Sequence, residues 1–201
     1  MSLKHSYSLI APFYDAALAA ATRAQRVKSL AALPHEPARV LLNGVGTGLD
    51  LPHLPHQHCY TGLDLTHGML RRAAARTAGL DFRCVQGDAQ NLPFADSSFD
   101  HAILHLILAV VPNPAACLAE TARVVAPGGS VLIFDKFLLP AQRAPLRRLI
   151  NPLLRHVATR LDVVFEDVLH EAAKIAPKLV LESNQPALAS GWFRLIRLKR
   201  V

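Results

Sequence analysis

Cysteine is scarce in this chain of 201 residues: there are three, Cys59, Cys84 and Cys117, far apart and without a CxxC pair. That count and spacing exclude a disulfide framework and a zinc ribbon, and they predict reduced thiols in a cytoplasmic protein. Long apolar runs are missing too. The most apolar stretch, Ala102 to Val111, stops at Pro112; it suits a buried strand and falls short of the roughly 20 residues a bilayer needs. At the N-terminus, Lys4 and the alanines superficially resemble a signal peptide, but Pro12 and Asp15 interrupt its apolar centre. It is read as mature protein. There is no internal repeat, low-complexity tract or linker. What remains is 51% hydrophobic and 18% charged, a composition that excludes disorder and a coiled coil and fits one domain over residues 1–201.

Positive charge is concentrated late in the chain. Residues 131–201 carry 12 Lys/Arg against 6 Asp/Glu, whereas residues 1–130 carry 10 against 9. A basic C-terminal third points to an anionic partner, such as phosphate headgroups, nucleic acid or an acidic small molecule. A merely soluble basic surface is the alternative.

Strand-like runs alternate with helix-like segments. The expected strands are Arg39–Asn43, Cys59–Asp64, Phe82–Val85, Phe99–His105 and Ser130–Phe137. Helices are expected from Thr66 to Gly79, from about Asn113 to Val125 with Pro127-Gly128-Gly129 closing it, and around Phe165–Ile175. Leu179–Asn184 and Trp192–Lys199, joined by a short connection, predict an antiparallel hairpin. This alternation predicts an α/β, doubly wound, Rossmann-like sheet of seven strands, the last antiparallel, with a helical insert at 138–161 after strand 5.

Chemistry concentrates in VLLNGVGTG, Val40–Gly48. A strand running into Gly44, Gly46 and Gly48 lets the backbone approach a ligand closely. Leu49 stands where a dinucleotide-binding GxGxxG has its third glycine, which weighs against NAD and towards S-adenosyl-L-methionine. Asp64, ending the second strand, is placed to accept from both hydroxyls of a ribose. Asp88, after the third strand, can accept from an adenine amino group, with Ala89 supplying a backbone N–H. Each aspartate alone also reads as a loop cap. Three such features at successive strand ends point to a ligand, because doubly wound sheets bind at the carboxyl ends of their strands.

VLLNGVGTGLDLP, YTGLDLTHGMLRRA, VQGDAQNLPFADSSFD and ARVVAPGGSVLIFD together resemble the class I S-adenosylmethionine-dependent methyltransferases, over about residues 35–137. The N-terminal SLIAPFYD is similar to the opening of ubiquinone/menaquinone-biosynthesis methyltransferases. GVGTGLDLP, AVVPNP and PGGSVLIFDKF, followed by a basic, proline-containing insert, resemble bacterial phosphatidylethanolamine N-methyltransferases. The resemblance implies that Gly44, Gly46 and Gly48 line the methionine moiety, that Asp64 holds the ribose with Met69 beside it, and that Asp88 and Ala89 meet the adenine. It also implies a lid over residues 1–30, with Tyr7 and Tyr14. The family usually has an acid where this chain has Asn43, so weaker cofactor binding is expected, and a weakly active cofactor-binding homologue is an alternative.

Methyl transfer needs mostly alignment and desolvation. An amine acceptor must lose a proton, and His105, at the end of strand 4, is the candidate catalytic base; filling a polar gap at the rim is the alternative. His53, His56, His58 and Cys59 match no zinc spacing and are read as a solvated loop, with no metal. In Lys136–Leu161, Leu146, Leu149, Ile150, Leu153, Leu154 and Val157 recur at helical spacing among Arg147, Arg148 and Arg155. That pattern suits a helix at an anionic membrane surface or a cap on the sheet. The expected activity is N-methylation of a phosphatidylethanolamine-type phospholipid, with C- or O-methylation of a quinone or small hydrophobic metabolite as the alternative. The expected location is cytoplasmic, with peripheral attachment to the inner membrane face. The sequence lacks the NPPY-like tetrapeptide of many base N-methyltransferases, so nucleic acid ranks below lipid.

Overall fold

The computed structural model describes residues 20–138 and 162–201. Helix α1 covers residues 20–30. It is followed by β1 (Arg39–Asn43), a 3-10 turn (Leu51–His53), β2 (Cys59–Asp64), α2 (His67–Ala74), β3 (Asp81–Gln86) and β4 (Phe99–His105). Then come α3 (Pro114–Val124), β5 (Val125–Lys136), α4 (Phe165–Ala172), β6 (Leu179–Pro186) and β7 (Phe193–Arg200). The seven strands form one sheet in the order β3-β2-β1-β4-β5-β7-β6. β7 runs antiparallel to both neighbours, and the other pairings are parallel. The Rossmann-like architecture and the antiparallel C-terminal strand are as expected.

Strand alternation divides the core between the two faces. Val40 and Leu42 of β1 join Leu30, Tyr60, Leu70 and Ala73 on the side of α1 and α2. Leu41 joins Leu63, Leu104, Cys117, Ile133 and Val168 on the side of α3 and α4. A period of two in an otherwise continuous apolar strand is what a sheet covered on both faces requires. The order reverses between β1 and β4, which opens a crevice at their carboxyl ends.

Several boundaries differ from expectation, and three of them have a visible cause. α2 ends at Ala74 rather than Gly79, because the Thr77 hydroxyl donates to Ala74 O and Arg76 turns to Thr47 O. Thr66 precedes α2, but its hydroxyl donates to Asp64 Oδ1 instead of accepting from the helix. Pro127-Gly128-Gly129 does not follow α3 as a stop; it lies inside β5 as an irregularity between the Phe99–Val125 and His101–Ser130 pairs. A Cβ at Gly129 would collide with the Asp100 carbonyl oxygen, so only glycine lets the two strands meet there. Tyr7, Tyr14 and most of the lid at 1–30 lie outside the described residues. So does the insert, apart from Leu138, which bridges Val164 on the far side.

Candidate functional site

The loop after β1 is folded back onto β2. Gly44 and Val45 both donate to Leu63 O at 2.9 Å, and Gly46 N–H donates to Asp64 Oδ2 at 3.0 Å. Gly44 and Gly48 sit at φ +81° and +78°, where a side chain is strained. A Cβ on Gly44 would also stand 2.6 Å from Ile107, and one on Gly48 would stand 2.9 Å from Ala73 Cα of α2. Gly48 therefore sets how closely the loop approaches α2. Gly46 differs: a Cβ there would meet nothing within 4 Å. The open face of the loop is at Gly46.

Asp64 ties this loop to α2. Its Oδ1 accepts from Thr66 N at 2.9 Å and from the Thr66 hydroxyl, while Oδ2 holds Gly46. The carboxylate is partly buried at the rim, beside Leu65, which is 66% exposed. Met69 is half-buried in the first turn of α2. Asp88, exposed after β3, accepts from Gln90 N and Nε2. Gly44, Gly46, Asp64 and Met69 are thus gathered around one loop, and Asp88 and Ala89 follow the neighbouring strand.

Asn43 is 1% exposed and faces α3 rather than the open loop. Its Nδ2 donates to Thr121 Oγ1 at 3.0 Å and lies 3.4 Å from Ala89 O, while Oδ1 is buried with no hydrogen-bond partner among the described residues. The Thr121 hydroxyl in turn donates to Cys117 O. A carboxylate here would face acceptors where the amide donates. Asn43→Asp is therefore expected to lower the unfolding free energy by about 1–3 kcal/mol, without tightening cofactor binding. Urea titration and calorimetry check both halves; tighter binding at unchanged stability would show that the neutral residue merely lacks a charge.

His105 is drawn into a buried group that the sequence does not reveal. Its Nδ1 lies 2.8 Å from Asp50 Oδ1 and its Nε2 lies 2.9 Å from Ser29 Oγ. Arg26 Nη1 reaches the same Asp50 oxygen at 2.8 Å, and Arg26 Nε donates to Thr22. Burial alone would raise the Asp50 carboxyl, but His105 and Arg26 outweigh it and hold it well below the usual carboxylate range. Thr22, Arg26 and Ser29 are spaced at four and three residues, so α1 turns a polar stripe inward. Asp50, two residues beyond Gly48 in an apolar run, was the one readable hint of this.

On the other face the chain leaves β4 through Leu106, at φ +60°, an unusual conformation for a branched residue. Leu106 N–H donates to Phe134 O, Ala109 N–H to Asp135 Oδ2, and Ile107 lies against Gly44. Asp135, wholly buried, also accepts from Lys136 N–H. Burial outweighs these bonds and pushes its carboxyl up to about 6.

Burial also pushes the His58 and His101 imidazoles down. His58, expected in a solvated loop, is 1% exposed and packs edge-on against Tyr60. His56 instead contacts Gly79 O, and among the described residues no three His, Cys, Asp or Glu side chains converge on a metal-sized site. Groups with lowered folded pKa favour the folded state above their ordinary range, and this stability is lost as pH falls. For His58 and His101 that loss begins below about pH 6.5, and for Asp50 below about pH 4. Asp135, raised in the fold, has the opposite sign: its contribution is present below about pH 4 and lost as pH rises through about 6. Urea midpoints between pH 5 and 8 are expected to fall on the acid side. His58→Gln is expected to flatten that fall, and an unchanged slope would show that His58 carries none of it.

Comparison with known proteins meets this geometry directly. Residues 41–133 match a family model described as a methyltransferase domain. Phosphatidylethanolamine N-methyltransferase of Cereibacter sphaeroides is 32% identical over 196 residues, covering 93% of this chain and 92% of the relative. Demethylmenaquinone methyltransferase of Desulfitobacterium hafniense is 44% identical over 79 residues, only 37% of this chain and 31% of that protein. Among solved structures, a methyltransferase from Thermotoga maritima superposes with a TM-score of 0.71 over the whole of both chains at 19% identity, a likeness of fold. Together with the glycine loop and the acid ending β2, the near full-length relative places the chain among the S-adenosylmethionine-dependent methyltransferases.

Proposed function

We propose that this enzyme methylates the amine of a phosphatidylethanolamine-type headgroup. The observation that carries the reading is the near full-length likeness to the Cereibacter sphaeroides phosphatidylethanolamine N-methyltransferase. The residues present fit S-adenosylmethionine. Open backbone at Gly46 leaves room for the methionine end. The partly exposed Asp64 carboxylate keeps acceptor capacity for ribose hydroxyls, and Leu65 and Met69 offer apolar surface beside it. Asp88 and Ala89 take the adenine end, with Gly44 and Gly48 shaping the loop. Bound there, S-adenosylmethionine supplies an electrophilic methyl group. The chain's own contribution is to orient the acceptor, exclude water and take up a proton, the role assigned to His105.

A lipid acceptor also accounts for the basic C-terminal third. Among the described residues Arg194 and Arg197 are engaged by Glu166 and Glu182, whereas Lys178 and Lys199 are exposed; in this reading the basic residues of Lys136–Leu161 supply further charge for a membrane surface. No described helix is long and apolar enough to cross a bilayer. Peripheral attachment predicts flotation with phosphatidylglycerol vesicles at low salt and release at high salt. Changing Arg147, Arg148 and Arg155 together to Gln is expected to weaken vesicle binding by about 3 kcal/mol at most. Failure of the wild type to float at low salt would favour a soluble acceptor. The acceptor itself is tested by supplying methyl-labelled S-adenosylmethionine with phosphatidylethanolamine micelles or with a demethylated quinone. Label in the phospholipid is expected, and label only in the quinone would overturn the reading.

A further inference from the structure

We propose that Ser29, His105 and Asp50 form a proton relay in which the Ser29 hydroxyl is the group that meets the methyl acceptor. The inference rests on the amine-acceptor reading above. His105 cannot meet an acceptor directly, because its side chain is 1% exposed and both ring nitrogens are taken. The arrangement dictates which nitrogen holds the proton. Asp50 is a carboxylate fixed by Arg26, so Nδ1 carries the hydrogen and donates to Oδ1 at 2.8 Å. In the relay Nε2 is the acceptor, and it faces the Ser29 hydroxyl, whose oxygen lies 2.9 Å away. This is the order of proton donor, base and orienting acid by which imidazoles are activated.

A clamp alone would not need it. Arg26 by itself ties α1 to Asp50, whereas the added Ser29–His105 pair leaves a basic nitrogen at the end of β4. Among the described residues Ser29, 7% exposed, is the partner on that nitrogen. In the relay, the acceptor ammonium gives its proton to Ser29 Oγ while the Ser29 hydroxyl proton passes to Nε2. The acceptor nitrogen keeps the electron pair of the broken N–H bond, His105 gains one positive charge, and Asp50 offsets it. Ser29 is the catalytic residue here; Asp50 and Arg26 are positioning residues.

Two measurements test this. Nitrogen-15 shifts of labelled histidine in the full chain, without cofactor, should show His105 protonated at Nδ1 and bare at Nε2. Ser29→Ala removes only the hydroxyl, so the fold should survive, as circular dichroism checks. Its kcat is expected to fall about 100-fold, with S-adenosylmethionine Kd within twofold of wild type, and Ser29→Thr should restore most of the loss. A merely structural serine would lower stability and leave kcat in place. An Nε2–H tautomer, or a Ser29→Ala kcat within threefold of wild type, overturns the relay. If phosphatidylethanolamine is never labelled, the phospholipid reading fails; the tautomer and the Ser29→Ala effect on whichever acceptor is labelled still decide the relay.

Discussion

Arg26→Ala should lower the unfolding free energy by about 3–5 kcal/mol, the range for removing one partner of a buried pair. Both side chains are only 6% exposed, and among the described residues Asp50 would keep only His105 as a side-chain partner. A buried carboxylate without its guanidinium is costly, because neither water nor a second donor replaces the lost bonds. The exposed pair Arg39–Asp100 provides the contrast, with side chains 55% and 36% exposed. Arg39→Ala is expected to change stability by less than about 1 kcal/mol from the ion pair. Urea unfolding of the two variants side by side separates the cases. Equal, small effects would mean that the Asp50 group does not hold α1 to the glycine loop.

Asp64→Ala is expected to weaken S-adenosylmethionine binding by about 1.5–3 kcal/mol, since charge-assisted bonds to the ribose hydroxyls are removed. That corresponds to roughly 10- to 150-fold in Kd. Part of the loss comes from the protein side, because the same carboxylate holds Gly46 N–H and the Thr66 turn. Asp64→Asn, which keeps one acceptor oxygen, should fall between the two. Unchanged affinity in the alanine variant, with circular dichroism intact, would remove Asp64 from the site.

The glycine loop and the acid ending β2 were legible because their signals are local. Gly44, Gly46 and Asp64 announce themselves by residue type and by position at strand ends, and the structure joins them through the Gly46–Asp64 bond. β1, β2 and β4 were legible to the residue, since a buried parallel strand reads as a short apolar run bounded by turn residues. What escaped was long-range. Arg26, Ser29, Asp50 and His105 lie on three separate segments, and nothing in the pattern of any one of them reveals the others. Asn43 looked like a cofactor residue because of its place before Gly44, but the alternation of β1 turns it towards Thr121. Pro127-Gly128-Gly129 misled for a different reason: the same residues that stop a helix also permit a bulge where two strands crowd together.

The central claim is that S-adenosylmethionine binds at the carboxyl ends of β1, β2 and β3. Titrating the nitrogen-15-labelled full chain with S-adenosylmethionine, and following backbone amide shifts, tests this most directly. The account predicts saturable shifts concentrated at Gly44–Gly48, Asp64–Met69 and Asp88–Ala89, with the amides of β6 and the outer half of β7 still. Saturable shifts confined to the amides of α3 and α4, or no saturable shift at all, would contradict it.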